Sequence, residues 1–203
     1  MNLKSKSAVV IAFLGVAVVS PAQAAENVRL RGTIVSLDGP TLTVKTREGP
    51  TSAVALSPGW KVGGVTKASI EDIKPGDFVG IASLPTAAGG DGAIEVLIFP
   101  TAMKGTGEGS YSWDLKPKST MTNATVANAV KDVDGRTVTL SYSGGQEKKI
   151  SIPDGVPIVT LGPATPADLK PGATVFIPAQ RGDDGNLSTG RVVVGTNGVV
   201  PPM

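Results

Sequence analysis

The sequence predicts an all-β chain: two tandem small OB-like β-barrels from an internal duplication, each with one short helical turn. Three observations carry that expectation. Short runs alternate apolar and polar residues with a period of two, as half-buried strands do. The 26 glycines and 16 prolines among 203 residues supply frequent turns. Most telling, the chain repeats itself at a spacing of 96 residues, with Gly32 to Ile81 aligning onto Asn128 to Ile177 without a gap. The identities include Asp38/Asp134, Gly39/Gly135, Thr41/Thr137, Gly59/Gly155, Asp72/Asp168 and Lys74-Pro75-Gly76/Lys170-Pro171-Gly172.

The elements follow in order. Leu30 to Leu37 alternates and ends at Asp38-Gly39; Thr41 to Thr46 alternates again. Asp-Gly between two such runs is a hairpin signal, because glycine accepts the positive φ of a tight turn. Asp134-Gly135 followed by Thr137 to Tyr142 repeats it. Further strands are expected at Ala53 to Leu56 and Val62 to Thr66, matched by Lys149 to Ile152 and Ile158 to Leu161. Ser69 and Thr165 are placed to cap a single helical turn, which Pro75 and Pro171 stop. Pro-Gly then leads into Phe78 to Ser83 and Thr174 to Pro178, and a glycine-rich hairpin into Ile94 to Phe99 or Leu187 to Val194. About five or six short strands with one helical turn fit a small closed barrel. The expected division is a first barrel over 25–100, a Gly/aromatic join over 101–123 and a second barrel with a short tail over 124–203.

Ahead of the repeats, Lys4 and Lys6 precede an apolar run from Ala8 to Val19, and Ala22-Gln23-Ala24 offers a small-x-small cleavage site. That is the pattern of a secretory signal peptide, too short for an ordinary membrane span. Cleavage near Ala24 leaves 179 residues with 17 bases and 17 acids, no transmembrane span, and a periplasmic destination in a Gram-negative cell. Without surplus positive charge, nucleic acid is not an expected partner.

Cysteine and histidine are absent. Disulfides, thiolate nucleophiles, Cys/His zinc sites and a histidine base are therefore excluded, along with the commonest hydrolase triads. No Gly-x-Ser-x-Gly elbow or Ser-x-x-Lys motif occurs, and Glu71-Asp72 sits on one short turn, unlike carboxylates flanking a substrate. No catalytic residue, metal ligand or cofactor is assigned. Arg181-Gly-Asp-Asp-Gly-Asn186 crowds oxygen groups but lacks the spacing of a calcium loop, and reads as a hairpin.

The candidate ligand-binding residues are Tyr111, Trp113, Asp114, Trp60 and Asn123. Tyr111 and Trp113 beside Asp114 and Lys116 offer an aromatic platform with a polar handle, as sugar or peptide sites use. The competing and favoured reading is that Trp113 pins the join onto the barrels. Trp60 faces Val156 in the repeat, and Asp77 faces Ala173, so these positions differ between copies. Gly105, Gly107 and Gly109 do not make a dinucleotide fingerprint, since Ser110 stands where the third glycine is required.

The runs GTIVSLDGPTLTVKTREG, IEDIKPGDFVGIA and DGAIEVLIF resemble an uncharacterised OB-like domain common in bacterial envelope proteins. The join GTGEGSYSWDLKPKSTMTNATV, with Trp113-Asp114 and Met121-Thr122-Asn123, is similar to that of two-copy proteobacterial members. The resemblance implies no activity. Some such proteins carry a metal-transporter permease label, which the lack of a span after the leader contradicts. The expected function is a non-catalytic periplasmic protein binding a small ligand, glycan or protein partner. The alternatives are a metal-handling accessory protein using carboxylates with Met103 or Met121, and an enzyme built on Asp114, Lys116 or Tyr111.

Overall fold

A computed structural model describes residues 26–132 and 135–201. The segment expected to be a signal peptide and the Asp134 turn position lie outside the described residues. The chain is all-β, and its strands close into rings.

The first ring begins with β1 (Glu26–Asp38), β2 (Thr41–Thr46) and β3 (Thr51–Lys67), joined as an antiparallel meander. The β1–β2 turn falls at Asp38-Gly39 as expected, with Gly39 at φ 57°. Two strands from the far end of the chain complete the ring. β11 (Thr174–Arg181) runs antiparallel to β1, and β12 (Leu187–Gly195) pairs with β11 and then parallel to β3.

The second ring reverses the loan. Its meander is β7 (Thr120–Asp132), β8 (Gly135–Tyr142) and β9 (Gln146–Pro153), and it is completed by β4 (Phe78–Pro85) and β5 (Asp91–Ile98) from the first half. β5 closes the seam on β9 through two parallel pairs, Asp91↔Ile150 and Gly92↔Ser151. The pairing therefore differs from one barrel per copy: each ring takes three strands from one half and two from the other. A last strand, β10 (Ile158–Pro163), bridges the rings, antiparallel to β3 and parallel to β5.

The registers obey the 96-residue spacing. Leu187↔Val54 corresponds to Asp91↔Ile150, and Val192↔Val62 to Val96↔Ile158. At the centre, Val65 pairs with Leu161, which is its own counterpart. β1 departs from the rule. Arg31 pairs with Phe176, and the corresponding pair in the second ring is Asn123↔Gly80. β1 and β7 thus correspond at a spacing of 92, with the matching bulges at Ile34/Ser36 and Val126/Asn128. The β7–β8 hairpin is longer by four residues, so the gapless alignment of the first strand does not match the pairing.

The sequence predicts two strands, Ala53 to Leu56 and Val62 to Thr66, where β3 is one. Gly59 does take φ 75°, yet pairing resumes beyond it after a register shift against β12. In the second half the counterpart is broken between β9 and β10, where Pro157 has no N–H to give a ladder. The helical turns at Ile70–Asp72 and Pro166–Asp168 form as expected. In each, the aspartate accepts from the N–H and hydroxyl of the preceding cap, Ser69 at 2.8 and 2.9 Å and Thr165 at 2.7 and 3.0 Å.

Each ring encloses its own core. Leu42, Val44, Val54, Ile177, Val192 and Val194 fill the first, and Val79, Ile81, Val96, Val138, Leu140 and Ile150 the second, all fully buried. A third cluster of Val65, Leu97, Val159, Phe176 and Val193 is assembled from β3, β5, β10, β11 and β12. Burying a side chain of this size is worth about 1.5–3 kcal/mol, so the rings are bound to each other as well as closed on themselves.

Candidate functional site

The join leaves β5, makes a helical turn at Thr101–Met103, and returns as β6 (Gly109–Ser112), which pairs with the start of β7. A tight turn at Lys118, with φ 65°, brings Ser119 back under Trp113. The Trp113 backbone N–H donates to the Ser119 carbonyl at 2.8 Å, and the Ser119 hydroxyl donates to the Trp113 and Lys116 carbonyls at 3.0 and 2.7 Å.

Four of the five sequence candidates meet here. The Tyr111 and Trp113 rings meet edge to face at 6.1 Å. The Asn123 side-chain amide donates to the Tyr111 hydroxyl and the Thr106 carbonyl, both at 3.2 Å. Gly80 makes room for that amide, since a Cβ there would lie 2.7 Å from Asn123 Oδ1. Asp114 accepts from Arg31 at 2.8 Å, with Arg29 at 3.8 Å. Trp60 is elsewhere, packed against the core of the first ring.

Sequence reasoning missed the two arginines. They alternate with Leu30 on β1, and nothing local marks them out from solvated strand residues. The Arg29 guanidinium lies 4.2 Å above the Trp113 ring, and Arg31 is 5.8 Å from it and 5.4 Å from Phe176. Cation–π contacts of this kind favour a fixed ring. The join is thereby clasped to β1 of the first ring while its backbone pairs with β7 of the second.

Electrostatics make this cluster a clasp. Partial burial works to raise the Asp114 pKa, but the Arg31 hydrogen bond and the charges of Arg31 and Arg29 outweigh it and hold the carboxyl below its usual 3.8. Desolvation pushes the Tyr111 phenol above its usual 10.0, against a smaller opposing pull from Arg29. At neutral pH the first is a paired carboxylate and the second a neutral phenol, and neither is poised to move a proton. The 181–186 loop is likewise self-satisfied: Asp184 accepts from Asn186 N–H at 3.0 Å and its amide at 2.6 Å. Among the described residues no three Asp or Glu side chains converge as a metal site would require, and Met121 is buried.

A concavity lies behind the clasp, between the rings. It encloses about 980 Å³, within the range of small-molecule sites. One wall is the outer face of β1, the end of β2 and the start of β11; the other is the β9–β10 connection, the end of β3 and Glu95 of β5. Val156, Val159, Val175 and Val199 give it an apolar lining, and Leu115 reaches it from the join. Arg31, Thr46 and Glu95 are buried on its walls, whereas Lys45, Arg47 and Lys67 are exposed along it. The Thr46 hydroxyl is buried with no hydrogen-bond partner among the described residues. Among the described residues, no aromatic side chain lines the cleft. Arg31 belongs to both places, so the clasp fixes one wall of the cleft.

No protein-family model, curated protein or solved structure matches this chain. Among the described residues, no helix is long and apolar enough to cross a membrane.

Proposed function

We propose that the protein is a non-catalytic binding protein of the bacterial envelope, delivered by its N-terminal leader, that seats a small ligand between its two rings. The cleft carries this reading: about 980 Å³ of mostly apolar space with a few buried polar groups on rigid strands. That combination typifies small-molecule sites. A binding role also fits the clasp, whose titratable groups are committed to holding the join. The matched registers support descent of the rings from a duplicated OB-like unit, related to the envelope-protein domain that the repeats resemble, with the last two strands of each copy exchanged.

The test is native mass spectrometry of the processed protein prepared without detergent, beside Val156→Trp. That substitution places in the cleft wall the residue that already stands at the counterpart position, Trp60. Excess mass that leaves on denaturation and is missing from the variant is the expected result. Excess mass retained by the variant would put the ligand elsewhere. A bare chain whose melting temperature no small molecule moves would favour a protein partner.

A further inference from the structure

We infer that β1 of the first ring is an open strand slot, which takes an extended segment of a partner protein as an added antiparallel strand. The two rings differ at this edge. In the second ring, β6 lies against the start of β7, with Gly109↔Asn123, Tyr111↔Met121 and Ser112↔Thr120 in register. β1 and β7 correspond at a spacing of 92, so the matching stretch of β1 is Val28 to Arg31. There β1 keeps β11 on one side, through Val28↔Ala179 and Leu30↔Ile177. On the other side its ladder with β2 begins at Gly32↔Thr46, next to the Arg47 N–H that donates to the Arg31 carbonyl at 2.7 Å. Among the described residues, no strand pairs Glu26 to Leu30 on that side.

The direction of the backbone groups shows what the slot offers. Ile34 faces β11: its N–H donates to the Ala173 carbonyl and its carbonyl accepts from the Gly172 N–H, both at 2.9 Å. Peptide groups alternate along a strand. Even-numbered residues therefore turn to β11, while Asn27 and Arg29 present N–H and C=O to the open side. Such a row is a template for a further strand, and β6 occupies its counterpart. The side chains ask for a different occupant from Gly109–Ser112. Where Ser110 faces Thr122 and Ser112 faces Thr120, the first ring has Leu30 in its core and Val28 packed against it. Apolar residues at those two positions extend that core. The residue between them lies opposite Arg29, whose side chain is 34% exposed. Asp114 stands 3.8 Å from Arg29 but is held by Arg31 at 2.8 Å. A carboxylate suits that position and a second base does not. The partner segment is thus an extended run of apolar, acidic and apolar residues.

The experiment uses the processed full chain and a fluorescent peptide, Ser-Val-Glu-Val-Thr-Ser. Beside it go a form with lysine for the glutamate, a form with the order inverted to Glu-Val-Glu, and a form methylated on the glutamate nitrogen. Anisotropy reads binding, and amide hydrogen exchange reads the edge. In the free chain, the Arg29 N–H should exchange at least about tenfold faster than that of Met121, its counterpart beneath β6. The first peptide should bind at least about tenfold more tightly than the other three and slow exchange at Arg29. Asn27→Pro removes an edge N–H that neither β11 nor β2 uses, and proline is tolerated at such an edge. It should weaken binding about tenfold and leave the melting temperature unchanged. An Arg29 N–H already protected in the free monomer overturns the slot, as does a peptide that leaves its exchange unaltered. Equal binding of the methylated form overturns strand addition, and equal binding of the lysine or inverted form overturns the chemistry of the segment. Protection that grows with protein concentration, in a dimer seen by sedimentation, makes a second copy the occupant and overturns the partner segment. Binding unaffected by Asn27→Pro overturns the location; should that variant fail to fold, the peptide series decides alone. None of these readouts depends on whether the cleft takes a small molecule.

Discussion

The two rings are built alike and finished differently. Around the first, Lys45, Arg47 and Lys67 edge an open space walled by Val156; their counterparts in the repeat are Ser141, Ser143, Pro163 and Trp60. Their interiors do not share this divergence, since Leu42 faces Val138 and Val44 faces Leu140 in the repeat and all four are fully buried. The inward face of each strand is thus held by packing, while the outward face is free to vary. A property present on one side only is added to the fold rather than required by it, and that marks the cleft as the place to look for function.

The largest expected effect tests whether the rings stand or fall together. Leu42→Ala and Leu140→Ala each leave a cavity in one core, and each should cost about 2–5 kcal/mol. Because strands are exchanged, both variants should unfold in one transition, with tryptophan fluorescence and far-UV circular dichroism coinciding in urea. Separate transitions would mean that the rings are independent after all.

Next, Trp113→Ala should cost about 2–4 kcal/mol for a half-buried aromatic. It should also expose residues 105–118 to limited proteolysis before the rings open. If the segment stays resistant, β6 pairing alone holds the join and the clasp is superfluous. A smaller loss follows from Asp114→Asn, about 1 kcal/mol in thermal melts, because the carboxylate is half-exposed and water screens much of its pairing with Arg31.

The smallest effect concerns the paired helical turns. Asp72 and Asp168 are held below 3.8 chiefly by the backbone N–H of Ser69 and Thr165, helped by the cap hydroxyls. A carboxyl depressed in the folded state stabilises above its ordinary pKa, and that contribution is lost as pH falls through the folded value. Melting temperatures followed downward from pH 5 should therefore fall less steeply in Asp72→Asn and in Asp168→Asn, by equal amounts. Unequal slopes would show that the two turns, alike in geometry, differ in what they hold.

Much of the local structure was legible in the residues. Asp38-Gly39 turned where a positive φ was expected, Ser69 and Thr165 opened helical turns, and β2 runs over the expected Thr41–Thr46. The partner of each strand was not. Alternation tells which face of β11 is buried, but nothing in Thr174–Arg181 says that its neighbour is β1 and not a strand of its own half. The displacement of β7 was hidden for a related reason: matching Asp-Gly pairs drew the alignment through a hairpin that is four residues longer in the second half. At the site, Trp113 was legible as a pin because a large aromatic in a polar join must find a surface. The surface itself, Arg29 and Arg31, lies some eighty residues earlier and leaves no mark at that range. The cleft was illegible altogether, since an empty volume is a property of the assembled walls.

The exchange of strands also sets an order of events. β1, β2 and β3 leave the synthetic machinery first, yet their ring lacks two members until Gly195 has followed. Contacts so distant along the chain close slowly. The first half must therefore wait, unfinished, with the edges of β1 and β3 open to any strand that comes by. A chaperone that shields those edges, or a leader that delays folding, would protect the nascent chain during that interval.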